Sequence, residues 1–206
     1  MVIFLLVNLV VFAQDEQEEK LNSKAVALMN AQKYKEALPV LNDLISHNAG
    51  NILFRHNRAV TLSNLARHRE ALADYKILAT ALPDESEYEF QIANAYEQLD
   101  STLQAIDFYS RAIETDSSHF FYYFKRGTIY LKQSYFVQAE RDFTSSLNLN
   151  PYHDNSLHNR GIARYKLGEE SKACDDWCAA YQLGNTTSLS HLKKNCKTSK
   201  PCSPPK

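Results

Sequence analysis

The sequence is short of glycine, with five in 206 residues, short of tryptophan, with one, and almost without net charge, at −1. Each shortage excludes something. The glycines never cluster, so no loop is available to cradle a nucleotide phosphate. With acids and bases balanced, and no Lys/Arg stripe interleaved with stacking aromatics, nothing draws nucleic acid to the surface. The seven histidines, His47, His56, His68, His119, His153, His158 and His191, nowhere adopt HExxH or a comparable ligand spacing, so no metal is expected. Asp175 and Asp176 adjoin, but neighbours on a helix point about 100° apart and cannot share a proton as a catalytic dyad does. A solvated helix face is the expectation for both. No enzyme activity and no cofactor are expected of this chain.

Long hydrophobic runs are also missing. Residues 2–13 are apolar almost throughout, yet a run of about 12 residues is too short to span a bilayer and suits the core of a signal peptide. Val11 and Ala13 are small enough for the −3 and −1 sites of signal peptidase. Cleavage before Gln14 is expected, leaving an exported, periplasmic or secreted, mature chain without a membrane span. A basic segment ahead of the run is absent, and the other reading of these residues is a core helix.

What the sequence does have is a period. Ala37, Ala71, Ala105, Ala139 and Ala173 recur at one constant step, without insertion or deletion between the first and the last. Twelve residues before each stands a small residue, Ala25, Ala59, Ala93, Gly127 and Gly161; four after each stands a large one, Leu41, Tyr75, Tyr109, Phe143 and Trp177. Two short helices packed back to back explain the spacing, because small residues let the backbones approach and the large one fills the space beside the contact. Pro83 and Pro151, twelve residues after their alanines, mark helix ends. Asp84 and Glu87 read as a capping box opening the next helix. Pro39 is placed in or near the first turn of its helix, where its missing N–H costs little.

Helix-turn-helix units of this length, about 34 residues, with these small and large columns resemble tetratricopeptide repeats. The resemblance covers five units, 18–51, 52–85, 86–119, 120–153 and 154–187, between the signal peptide at 1–13 with a short acidic leader at 14–17 and a capping helix at 188–197 with a basic, Pro-rich tail at 198–206. It implies an all-α, right-handed superhelical solenoid. Leu189 and Leu192 on one face suit the cap that the open end of such an array requires.

All four cysteines, Cys174, Cys178, Cys196 and Cys202, lie beyond the last alanine of the series, and an even count in an exported chain argues for disulfides. Three pairings exist. The column of Cys174 holds Leu38, Leu72, Ile106 and Glu140, so it is largely apolar and faces the next element, which favours Cys174–Cys196. The column of Cys178 holds Asn42, Lys76, Ser110 and Thr144, reads as exposed, and would let Cys178 reach Cys202 in the tail. A Cys₄ zinc site and a reactive thiol are the competing readings. The Cys-bearing last helix and cap also resemble the ends of exported bacterial repeat proteins.

The family resemblance further implies that first helices line a concave groove. Its positions carry Phe90, Asn94, Phe124, Lys125, Thr128, His158 and Asn159, with Ile162 and Tyr165 beyond. Aromatics there offer apolar anchor pockets, and amides pair with an extended backbone. Some family members clamp the C-terminal carboxylate of heat-shock chaperones; here Phe90, Asn155 and Asn159 stand where that clamp needs cations. The expected function is a non-catalytic scaffold that binds a protein or peptide partner in the groove. The alternative is a structural subunit of an envelope complex, in contact through its convex face or cap.

Overall fold

The computed structural model describes residues 2–196 and 202–203, with side chains from residue 16 onward. The side chains of the expected signal peptide, and most of the basic tail, lie outside the described residues. Among the described residues there are eleven helices and no strand: α1 (Val2–Asn30), α2 (Tyr34–His47), α3 (Ile52–Asn64), α4 (His68–Ala81), α5 (Ser86–Gln98), α6 (Thr102–Thr115), α7 (Phe120–Lys132), α8 (Phe136–Leu149), α9 (Asp154–Lys166), α10 (Glu170–Gln182) and α11 (Ser188–Asn195). This is an all-α helical repeat. The first helices start at a constant interval, at Ile52, Ser86, Phe120 and Asp154, and α11 starts on the same beat at Ser188, as the first helix of a further repeat would. The chain forms two compact units, Met1–Ser101 and Thr102–Lys206.

The turn inside each helix pair recurs as faithfully as the helices. Gln32, Ala66, Asp100, Ser134 and Gly168, which share one register position, all take positive φ, between 54° and 82°. Each ends its helix in a Schellman motif, in which the next N–H reaches back five residues: Lys33 to the Leu28 carbonyl, Arg67 to Leu62, Ser101 to Tyr96, Tyr135 to Tyr130 and Glu169 to Arg164. Only one of the five is the glycine that this conformation favours. An L-residue there costs roughly 1–2 kcal/mol, so Ala66→Gly should stabilise the protein by about 1 kcal/mol, against the usual destabilising sign of glycine in a helical region. Thermal melting of the two chains checks it; a lower melting temperature would show that another constraint governs the turn.

Both small columns are buried, and the large column lies over the earlier small one. A Cβ on Gly127 would stand 3.1 Å from the Phe143 ring, and one on Gly161 only 2.6 Å from Nε1 of Trp177. In the first unit, Ala25, Ala37, Leu41, Leu44, Ile45 and Phe54 form one core cluster; in the second, Ala139, Phe143 and Ala163 form another, with Phe124, Tyr130 and Leu131 against it.

A second, charged period runs through the repeats. The Arg58 guanidinium forks onto the Asp74 carboxylate through Nε and Nη2, both at 2.8 Å; Arg126 does the same to Asp142, and Arg160 to Asp176 at 3.0 and 2.7 Å. The sequence separation is the same in all three pairs, and Nη1 of each arginine donates to the preceding repeat, to Asn42, Ser110 and Thr144 respectively. All three aspartates are buried. The expectation of a solvated face for Asp175 and Asp176 therefore holds for Asp175 alone, since Asp176 is 4% exposed and paired with Arg160 and Arg164. The column of Cys178 is likewise less open than expected. Asn42 and Lys76 are exposed, but Ser110, Thr144 and Cys178 are half-buried: the first two receive an arginine of the next repeat, and Cys178 is bonded to Cys202 of the tail.

Two local expectations are corrected. The capping box at Asp84 and Glu87 does not form: α5 begins at Ser86 with Glu85 as its cap and no side-chain cap bond, and Glu87 accepts from Gln91 at 2.6 Å instead. Pro39 is the sixth residue of α2, past the first turn, so its missing N–H leaves one interior helical bond unmade.

The cysteines pair as Cys174–Cys196 and Cys178–Cys202, with Cα–Cα distances of 5.8 and 5.5 Å, and no free thiol is left among the described residues. The first pair bolts the end of α11 to α10. Cys174 is buried on the face that α11 covers, and Cys178 meets the tail.

Candidate functional site

The sequence-expected groove residues fall on three first helices. In the first unit, Phe90 and Asn94 lie on α5. Phe90 is only 7% exposed, so it offers a partner little surface without moving; Asn94 is half-buried and donates to Gln91 at 3.3 Å.

In the second unit, α7 carries Phe124, Lys125 and Thr128 and α9 carries His158 and Asn159, and the two helices adjoin. Phe124 is half-buried, seated on the core through Phe143 at 6.2 Å between ring centres, with its outer side bounded by Phe121 at 5.5 Å and His153 edge-on at 4.7 Å. Phe121 is 40% exposed. Together the three rings make a partly exposed aromatic patch. Thr128 commits its hydroxyl to the Phe124 carbonyl at 2.8 Å and contributes shape rather than a free donor. Lys125 and Asn159 are half-buried beside this surface.

Sequence reasoning missed Phe121 and His153. The signal for the first is the run Phe120-Phe121-Tyr122-Tyr123-Phe124, since five consecutive aromatics on a helix cannot all turn toward one core. His153 sits at the N-cap of α9, and its Nδ1 pairs with the Ser156 hydroxyl at 2.7 Å, which in turn meets Ser146 at 2.9 Å. Both serines are fully buried. That chain of hydroxyls fixes the imidazole from behind. Burial holds its pKa below the ordinary histidine value, against the opposing charge of Asp154, so the ring beside Phe124 is neutral at neutral pH.

His158, expected to face the groove, is engaged by the last helix. Its Nδ1 pairs with Ser188 of α11 at 2.7 Å, its ring lies 5.3 Å from that of His191, and its carbonyl accepts from Trp177 Nε1 at 3.1 Å. It is a fastening for the last helix. His191 in turn stacks on Trp177 at 4.7 Å.

Burial lowers the pKa of both His158 and His191, with His191 and Lys194 respectively adding repulsion. The unfolded chain takes up these protons near pH 6.5 and the folded one only at lower pH, so stability is full above about 6.5 and falls as pH drops through the folded values. Melting temperature should decline between about pH 7 and 5, above the range where carboxylates titrate, and the double variant His158→Gln/His191→Gln should flatten the decline. An unchanged slope in that variant would assign the effect elsewhere.

Among the described residues no three or more His, Cys, Asp or Glu side chains converge as a metal site requires, and no helix is long and apolar enough to cross a membrane.

Comparison with known proteins places this geometry. The sequence profile of the tetratricopeptide repeat matches residues 88–119. A DnaJ homolog subfamily C member 7 homolog from Schizosaccharomyces pombe is 26% identical over 186 residues, covering 82% of this chain and 39% of its own, so the chain spans well under half of that relative. Among solved structures, MamA superposes with a TM-score of 0.74 at 16% identity, over 92% of this chain and 100% of its own. YrrB, described as a tetratricopeptide-repeat protein with an unusual peptide-binding site, superposes at 0.72 with 15% identity, over 89% and 97%.

Proposed function

The chain is a tetratricopeptide-repeat protein, and from that premise we propose that it is an exported, non-catalytic scaffold that binds a partner peptide along α7 and α9. The observation that carries the reading is the aromatic patch of Phe121, Phe124 and His153, a neutral, ring-lined surface on the helices that the family resemblance assigns to the groove, with Lys125 and Asn159 on the same helices. An extended segment can rest one apolar side chain on such a patch and pair its backbone with polar groups. YrrB supports a peptide as ligand by its description. Export is supported by the two disulfides, which persist in oxidising compartments, and by the apolar run at 2–13. The cations that the chaperone-tail clamp of some family members needs are missing at Phe90, Asn155 and Asn159.

The test begins with a partner captured by the mature, oxidised protein. Phe124→Ala should weaken its binding at least tenfold, since a central aromatic anchor carries about 2 kcal/mol or more, while Lys76→Ala on the exposed side of α4 should be near neutral. Calorimetry with helical content checked by circular dichroism measures both. Unchanged affinity in Phe124→Ala with a large loss on the α4 face would move the function to a structural subunit.

A further inference from the structure

Beyond the aromatic patch, the second unit brings two lysines to the rim of one cavity. A cavity of about 370 Å³ opens between α9 and α11, lined by Ile162, Tyr165 and Lys166 on one side and His191 and Lys194 on the other, with the buried Trp177 behind. Among the described residues no Asp or Glu lines it. Four other cations of this unit have carboxylate partners: Arg126 has Asp142, Arg160 has Asp176, Arg164 has Asp176 and Glu140, and Lys172 has Glu169. Lys166 and Lys194 are exposed, and among the described residues neither forms an ion pair. Two ammonium groups above an apolar floor create a local positive field that water alone compensates.

The cavity walls are held in place before any ligand arrives. Ser188, at the start of α11, is tied to His158 of α9, and Cys196, just past its end, is bonded to Cys174 of α10. A fixed recess spares a ligand the cost of ordering it. Asn159, Ile162 and Lys166 follow one another along one side of α9 at helical spacing, so a chain lying along α9 runs into the cavity.

We propose that this cavity docks an acidic, apolar segment of a partner polypeptide, with a carboxylate side chain set between Lys166 and Lys194 and a neighbouring leucine or phenylalanine side chain against Ile162 and Tyr165. The proposal shares with the preceding reading the premise that the ligand is a polypeptide, but it does not depend on Phe124. The probe is a fluorescein-labelled peptide of alternating glutamate and leucine, titrated into the oxidised full chain and followed by anisotropy, beside the same peptide with glutamine for glutamate. The glutamate peptide should bind about tenfold more tightly than its glutamine counterpart, and Lys166→Gln/Lys194→Gln should remove that preference, since two exposed ion pairs together reach about a tenfold effect. Added salt should shrink the preference. Phe124→Ala should leave this probe's affinity within about twofold, which separates the cavity from the aromatic patch. Equal binding of the two peptides, or an unchanged preference in the folded double variant, overturns the proposal. So does self-association of the chain that the double variant dissolves, because the occupant would then be a second copy.

Discussion

Asp176→Ala should destabilise the protein by about 3 kcal/mol, because it leaves the largely buried Arg160 guanidinium without a carboxylate and Arg164 with Glu140 alone. Arg160 forks onto Asp176, and Arg164 donates to it at 2.9 Å while bridging to Glu140 at 2.8 Å. Both arginine side chains are only 16% exposed, so water cannot replace the lost partner without opening the packing between α9 and α10. The neighbouring Asp175→Ala supplies the control, since an exposed substitution away from any network stays within about 0.5 kcal/mol. Urea unfolding of the two variants measures the contrast. Equal losses at 175 and 176 would show that general helix charge, not the buried fork, is at work.

The second large effect lies one helix face away. Gly161→Ala would place a methyl group 2.6 Å from Nε1 and 2.7 Å from Cδ1 of Trp177. The indole has nowhere to retreat: it is fully buried, its N–H is committed to the His158 carbonyl, and His191 stacks on it. Overpacking of this kind costs about 1–3 kcal/mol or more, and removing the indole by Trp177→Ala costs about 3–5 kcal/mol through the opposite error, a void. The repeats themselves suggest the remedy. Where the first small column holds alanine, as at Ala25 and Ala59, the large column holds Leu41 or Tyr75, and only the two glycines stand opposite Phe143 and Trp177. Gly161→Ala/Trp177→Tyr should therefore be less destabilised than the sum of its single changes, as a double-mutant cycle reads directly. Strict additivity would mean that the two positions are not coupled.

The small and large columns were legible in the sequence because burial of a small residue tolerates little else, so the alanines survive at every step. The charged column was equally periodic but concealed by its chemistry. Arg58 with Asp74, Arg126 with Asp142 and Arg160 with Asp176 keep one constant spacing, yet the first repeat has Lys24 with Val40 and the third Ile92 with Phe108 in those places. An acid next to another acid, as at Asp175 and Asp176, looks like surface until its arginine is known. The turns were hidden for a related reason, since four of the five left-handed positions are not glycine. At the candidate site, a helical face could be assigned from the register, but Phe90's burial and His158's engagement with α11 depend on tertiary contacts that no single-chain periodicity encodes.

The two cystines also give the repeat array a mechanical polarity. Under tension applied through the chain ends, helices at the leader end are held only by packing and hydrogen bonds and can peel away one after another. The segment between Cys178 and Cys202 is closed by a covalent bond spanning 24 positions, and the overlapping Cys174–Cys196 bond closes a second loop of 22. At roughly 3.4 Å per extended residue, the longer loop alone withholds about 80 Å of contour from any pulling force. The array would therefore unravel from its leader end toward the stapled end, and whatever is held against α9 and α11 would be the last to be released.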